Sequence, residues 1–310
     1  IMMNVAEDLK SSWESLKSNK VLVLPIFAAP VIFMIAGFLF LYFFGFLGAF
    51  SEHSRLYDEY RQQSKGLLFD REKFDEYLKA NNFQWDFSRL LNINSIAIII
   101  ISVVLLALVA YYLKCISYGM TALVAKKAKL TWKAAARLAN KFFWRLMLLH
   151  LFVFLIVFAI LIVFGIIVVI GFLISKWLGI SAFILGIIGM AVALFFIVIK
   201  LFFGIPILCL EGKTAKESLK QSYSITKGRF RETLVVFAII VGISLAFGVF
   251  GNLFSGSFAN VMSPSPAKSS FSLVMMLIYY LLSSAVGAFT TLFLFYAYAD
   301  FKKRKVSKAK

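Results

Sequence analysis

The residues that could do chemistry in this chain are few, and most stand beside or inside apolar runs. Glu211 is the acid nearest the end of a long apolar run, and it opens a charged stretch, Glu211–Phe230, with Lys216, Lys220, Lys227 and Arg229. Lys200 interrupts the run ALFFIVIKLFFGIPILCL, and His150 and Asn252 lie within other runs. An acid among lysines can contact a lipid headgroup or a substrate, or it can pair with a neighbouring lysine. The blander account of Glu211 is an acid held just ahead of a helix whose N-terminal end is positive. An ionisable group inside a membrane span is a functional candidate by default. For Lys200, about ten residues from the end of its run, a long stem that carries the ammonium to the interface is the better account. His150 could relay a proton, but no carboxylate stands at helical spacing from it, so an interfacial hydrogen-bonding role is expected. Asn252, Thr290 and Thr291 read as hydrogen-bonding groups between helices.

Other catalytic patterns do not assemble. The sequence contains no HExxH, phosphate-binding P-loop, CxxC or G-x-S-x-G pattern, and no pair of acids within one apolar run. Cys115 and Cys209 are the only cysteines, too few for a disulfide framework or a zinc site. The chain reads as non-enzymatic, with no cofactor and no metal.

The elements that must carry these residues follow from composition. Of 310 residues, 61% are hydrophobic and 15% charged, and mean hydropathy is +0.88. Soluble domains are about half apolar and a quarter charged. Stretches such as 93–113 and 146–175 carry no acid, Lys or Arg, and each reaches the ~20 residues that cross a bilayer as helix. Six spans are expected, at about 21–50, 94–118, 146–175, 177–210, 233–253 and 272–299, in an all-α polytopic membrane protein. The first twenty residues are polar and the run after them is long, so it is expected to remain as a span and not serve as a cleaved signal. Pro25 and Pro30 predict a bent entry to the first span, and Gly204 with Pro206 predict a break near the end of the fourth.

The net charge of +18 is distributed as topology signals are. With the N-terminus inside, residues 1–20, 114–145, 200–232 and 300–310 hold 24 of the 33 Lys and Arg. The 51–95 loop is nearly neutral, with 7 basic and 8 acidic residues. Positive-inside counting therefore places both termini in the cytoplasm of a prokaryotic cell, in its cytoplasmic membrane. The basic tail 301–310 then lies near anionic headgroups. A nucleic-acid partner is not expected, because the basic residues sit at the ends of apolar runs and not on one contiguous face. Within the 51–95 loop, Phe69, Phe74, Leu78 and Phe83 recur at helical spacing, which predicts one or two short helices. That loop and the cytoplasmic helices are the places for a protein partner, although solvated charge accounts for most of their polar residues without one.

A repeat organises the rest. Aligned without gaps, Asn4–Lys17 and Thr214–Lys227 share Glu7 with Glu217, Leu9 with Leu219, Lys10 with Lys220, Ser12 with Ser222 and Lys17 with Lys227. Asn4 and Thr214 have the spacing of helix caps whose third residue is an acid. A weaker copy runs from Leu130 to Leu146, with Thr131 at the cap and Ala134 in place of the acid. The single membrane domain thus divides into units of roughly 1–118, 119–210 and 211–300, each an amphipathic helix followed by two spans. In the third copy Ala215, Leu219, Tyr223, Thr226 and Phe230 form the expected apolar stripe, with lysines opposite. Such a helix lies in the interface plane, its lysines toward anionic headgroups.

The run GIPILCLEGKTAKESLKQSYSITKGRF, Gly204–Phe230, carries a resemblance. Pro206, Glu211-Gly212, Glu217-Ser218-Leu219, Ser222 and Lys227–Phe230 together resemble the signature of the membrane domain associated with glycerophosphoryl diester phosphodiesterases. The run is similar as well to six-span families of unassigned function such as the bacterial YciC-like proteins. The resemblance implies six spans with both ends inside, and a membrane module alone. The phosphodiesterase barrel that accompanies such domains needs catalytic histidines and metal-binding acids, and this chain has two histidines, His53 and His150. The function expected is a lipid-interacting or partner-anchoring scaffold. The alternative is a permease for a small molecule or lipid, which should place polar groups around a midplane cavity.

Overall fold

The computed structural model describes residues 4–43, 46–63, 71–83, 93–261 and 266–307; of some helical residues in these ranges, Asn252 among them, the backbone alone is described. Every described element is helical. The helices are α1 (Val5–Ser18), α2 (Leu24–Phe43), α3 (Phe46–Gln63), α4 (Arg71–Ala80), α5 (Ile93–Ala125) and α6 (Trp132–Ile174). After them come α7 (Lys176–Leu201), α8 (Gly204–Glu211), α9 (Ala215–Lys227), α10 (Phe230–Val261) and α11 (Pro266–Ser307). A 3-10 turn, Lys20–Val23, joins α1 to α2.

Six of these segments are long and apolar enough to cross a membrane: 20–40, 96–125, 132–174, 176–211, 230–249 and 272–304. In α6 the most apolar window has a mean hydropathy of 3.6 and none of it is buried within the protein. An outward face of that kind has hydrocarbon as its natural solvent. The chain is membrane-embedded.

Boundaries shift from the sequence expectation for identifiable reasons. The first span ends near Phe40, not Phe50; residues 46–50 belong instead to α3, which runs into the charged segment SEHSRLYDEYRQQ. The second amphipathic segment is no separate element, because α6 continues through it for 43 residues. Nothing between Trp132 and Ile174 breaks a helix until Gly165, whereas Gly228 separates α9 from α10. Pro25 sits in the first turn of α2, where its missing N–H is not needed, and Pro30 lies inside the helix.

Two compact units emerge. One comprises 1–22, 114–244 and 287–310; the other comprises 23–113 and 245–286. In the second unit α3 packs on α4 through an aromatic cluster. Phe74, 5% exposed, meets His53 and Tyr57 edge-on, each at 5.5 Å between ring centroids. Phe83 lies 5.5 Å from His53, and burial lowers the pKa of that imidazole. The periodicity of Phe74, Leu78 and Phe83 is thus a helical packing face; Phe69 lies outside the described residues.

In the first unit Phe203, Ile207, Val236, Phe293, Ala297, Tyr298 and Phe301 form a buried core, with Val5 and Leu9 of α1 packed on it. One close helix approach is at Gly119 of α5, and another joins α6 to α7 at Gly171 and Gly179. A Cβ at Gly119 would stand 2.8 Å from the Ala135 carbonyl oxygen of α6, and backbone cannot yield as a side-chain tip can. Thr290 and Thr291 donate to the Gly287 carbonyl of their own helix, at 3.1 and 2.7 Å, as hydroxyls in apolar helices do when a carbonyl three or four residues back is in reach.

Gly119→Ala should therefore lower the thermal midpoint in detergent, at a cost of about 1–3 kcal/mol. Gly165→Ala, where nothing lies within 4 Å of the new methyl, should leave the midpoint unchanged or raise it, since alanine is the better helix former by about 1 kcal/mol. Equal midpoints for the two variants would contradict the close α5–α6 approach.

Candidate functional site

The charged stretch that opened the sequence reading becomes α8, a turn and α9. α7 stops at Leu201 and α8 starts at Gly204, so the break expected from Gly204 and Pro206 occurs at residues 202–203. Pro206 occupies the third position of α8, where an N–H would find no carbonyl partner in the helix. The gap is closed from outside. Ser222 of α9 accepts from the Phe203 N–H at 3.1 Å and donates to the Lys200 carbonyl at 2.9 Å. One buried hydroxyl thus serves the donor and the acceptor that the break exposes. Thr226 lies within hydrogen-bond reach of the same carbonyl, at 3.2 Å.

This geometry corrects the predicted apolar stripe of α9 in part: Ala215 and Thr226 are buried as expected, but Ser218 and Ser222 join them and Tyr223, 51% exposed, does not. The face turned inward is small and hydroxyl-bearing, because its task is to approach the α7–α8 break closely. The helix ends are capped as expected. Thr214 and Glu217 form both halves of a capping box; Asn4 accepts from the Glu7 N–H and Thr131 from the Ala134 N–H. The Thr214 hydrogen bonds hold the Glu217 carboxyl below its ordinary pKa. Gly212 ends α8 in the left-handed region, φ 69°, a conformation that favours glycine.

Glu211, the last residue of α8, has a side chain 12% exposed and four partners. Lys213 stands 3.1 Å from Oε2 and Lys302 3.1 Å from Oε1. The Tyr298 hydroxyl donates to Oε1, and Gln221 Nε2 lies 3.3 Å from both oxygens and 3.3 Å from the Tyr298 hydroxyl. A carboxylate offers about four lone-pair sites, and these are taken. Glu211 therefore ties α8, α9 and α11 together. Ion pairs and a phenol hold it, not the positive end of α9, where Glu217 is the acid in place.

The other sequence candidates are distributed around this knot. Lys216, Lys220 and Lys227 are exposed on α9. Arg229 donates to the Phe301 carbonyl at 3.2 Å and lies 5.6 Å over the Phe301 ring, so it fastens the start of α10 to α11. The Lys200 ammonium lies 5.2 Å from the Tyr223 ring and 5.7 Å from Phe230. His150 Nδ1 is 2.8 Å from the Leu146 carbonyl, one turn back in α6. The side chain of Asn252 lies outside the described residues. Among the described residues no group of three His, Cys, Asp or Glu side chains could hold a metal ion.

Sequence reasoning missed Tyr298, Gln221 and Lys302 as partners of Glu211. Tyr298 and Lys302 are four apart, which puts them on one face of a helix. That spacing was readable, but its partner 87 residues away was not. It missed as well Lys126, Lys141 and Arg145, which line a cavity beside Gly212; Arg145 donates to the Gly212 carbonyl at 2.6 Å.

A second acid is less well provided for. The Asp8 pKa is raised to about 6, first by burial, then by Asp300 and Glu7, against the pull of Arg304 and Lys303. Its Oδ2 atom is buried without a hydrogen-bond partner. Because the folded protein favours the protonated form, this contribution to stability is complete below the ordinary aspartate value of 3.8 and lost as pH rises to about 6. Asp8→Asn should gain stability relative to the native chain between pH 4 and 6, with no further gain above that. Unfolding midpoints across pH 4–7 measure it; parallel curves would contradict it. At the knot, Tyr298→Phe should cost about 2 kcal/mol, the worth of a hydrogen bond to a charged group. In a Glu211→Gln background the cost should shrink, as a double-mutant cycle would read.

Comparison with known proteins adds the family. No curated protein and no solved structure matches this chain. Nothing found links it to the glycerophosphoryl diester phosphodiesterase membrane domain or to the YciC-like proteins, so that resemblance stays with the Gly204–Phe230 run and is not a membership. One family model, described as a domain of unknown function, DUF7847, matches residues 3–303. Nearly the whole chain is covered, and it therefore belongs to the DUF7847 family.

Proposed function

We propose that the protein is a non-enzymatic module of a prokaryotic cytoplasmic membrane, with both termini inside, that holds anionic lipid headgroups or a partner protein against its basic inner face. One observation carries this reading. The single acid of the α8–α9 turn is consumed by Tyr298, Gln221, Lys213 and Lys302, while Lys216, Lys220 and Lys227 remain exposed on α9. Cations left over at the end of apolar helices suit a headgroup plane. The charge distribution supports the orientation, since 24 of 33 basic residues fall on the segments assigned inside.

The threefold organisation belongs to the same proposal. When the three caps Asn4, Thr131 and Thr214 are superposed along the sequence, Ser12, Ala139 and Ser222 fall at one position, and all three are 0% exposed. A small buried residue eight places after each cap lets each amphipathic segment lie close to a neighbour. A permease reading relied on Lys200 and His150, and each is occupied by local rings or a local carbonyl.

Purification in mild detergent should retain anionic phospholipid or a stoichiometric protein partner, and proteoliposomes should show no flux of small anions, cations or labelled lipid. Flux in the absence of any retained lipid or partner would overturn the scaffold reading in favour of the permease.

A further inference from the structure

Three cations that the sequence reading left aside converge beside the Glu211 knot. Lys126 follows the end of α5, and Lys141 and Arg145 stand one turn apart on α6. With Leu138, Phe142 and Leu210 they line a cavity of about 170 Å³. A second cavity of about 490 Å³ shares Lys126 and Leu210 and adds Tyr298, Lys302 and Lys303.

The charge balance decides what the smaller cavity can take. Glu211 borders it, but that carboxylate is matched by Lys213 and Lys302. The C-terminal ends of α5 and α8 each supply roughly half a negative charge. Against this stand three full positive charges, of which Arg145 alone is partly offset, by Glu217 acting from outside the cavity lining. Among the described residues no carboxylate pairs with Lys126, Lys141 or Arg145 within 4 Å. Arg145 is oriented by the hydrogen bond it donates to the Gly212 carbonyl at 2.6 Å, which uses one of its five N–H donors and leaves the rest of the fork.

Size and walls narrow the chemistry further. Drug-sized ligands occupy roughly 300–1,000 Å³, so a cavity of about 170 Å³ suits a single oxyanion. Guanidinium and ammonium groups together are suited to phosphate oxygens. The walls are not uniformly polar: Leu138 and Phe142 line the cavity on the same face of α6 as Lys141 and Arg145. Trp144, next to Arg145, is 67% exposed, and exposed tryptophan on a membrane helix favours the headgroup level.

We propose that Lys126, Lys141 and Arg145 form a binding site for a phosphate group, and that the apolar wall and the adjacent Trp144 favour the phosphodiester of an anionic phospholipid over soluble phosphate. This rests on the lipid-binding reading above and gives it an address away from the lysine face of α9.

The full-length protein in mild detergent is titrated separately with short-chain phosphatidylglycerol below its micelle concentration and with inorganic phosphate, and binding is read from Trp fluorescence and the thermal midpoint. Phosphatidylglycerol should bind, at least tenfold more weakly to K126Q/K141Q, while K216Q/K220Q, with the same change in net charge, should alter affinity less than twofold. Both altered lysine pairs are exposed, so folding is not at stake as it is for Arg145. Raising salt should weaken binding to the native protein and flatten the difference between the pairs. Binding of inorganic phosphate with the same dependence on Lys126 and Lys141 also supports the site and identifies a soluble ligand. Equal loss in the two double variants, or no binding of either probe, overturns it. If phospholipid is still retained through purification of K126Q/K141Q, the site fails while the lipid-binding reading stands; if the native protein retains none, that reading fails as well.

Discussion

A carboxylate withdrawn from water at the end of an apolar helix needs charged and hydrogen-bonding partners, and Glu211, its side chain 12% exposed, gathers them from across the first compact unit. Glu211 ends α8 at the edge of a membrane-embedded segment, where an unpaired charge would cost several kcal/mol. Its four partners come from three elements: Lys213 in the turn, Gln221 on α9, and Tyr298 with Lys302 on α11. The same Tyr298 ring is in the buried core with Phe203 and Phe301. One phenol therefore couples polar satisfaction of the turn to apolar packing of α8 against α11. The left-handed Gly212 then sends the chain from α8 into α9 without displacing the acid.

The second constraint is the interruption of α7 and α8. In hydrocarbon, backbone groups freed by a break must be satisfied within the protein, and Ser222 and Thr226 do this from α9. That requirement explains why the inner face of a helix in so apolar a chain carries Ser222 and Thr226 and not leucine; the Ser218 hydroxyl, buried without a hydrogen-bond partner, takes no part in it. It explains, too, why the lysines of α9 lie outward: the inner face is committed to the break. Arg229 extends the same logic one step, binding the Phe301 carbonyl and ring so that α10 leaves beside α11.

These two fixtures leave a surplus of positive charge around the turn. The acid that could have neutralised it is already engaged, and Lys126, Lys141 and Arg145 come from helices whose sequence positions are far from the charged stretch. A small cavity with a mixed apolar and cationic lining results, and the lipid-binding proposal becomes a statement about particular side chains.

The sequence by itself determined the helical class, the six apolar segments, the caps at Asn4, Thr131 and Thr214, and the break before Pro206. Each follows from local chemistry: hydrocarbon selects long apolar helices, and cap and proline positions depend on residues within one turn. It also aligned Ser12 with Ser222, both of them buried, although it left Ser222 out of the inward stripe of α9. An apolar count along α9 favours Leu219 and Tyr223, and only the nearness of the α7–α8 break makes hydroxyls the buried group. Glu211 was readable as an important acid but not as the centre of a knot, because Tyr298 and Lys302 are 87 and 91 residues away along the chain. The Lys126–Lys141–Arg145 cluster likewise read as topology charge. Tertiary structure alone decided which lysines stay apart on the exposed face of α9 and which converge, since convergence depends on how α5, α6 and α8 cross, a geometry that no periodicity within a single helix encodes.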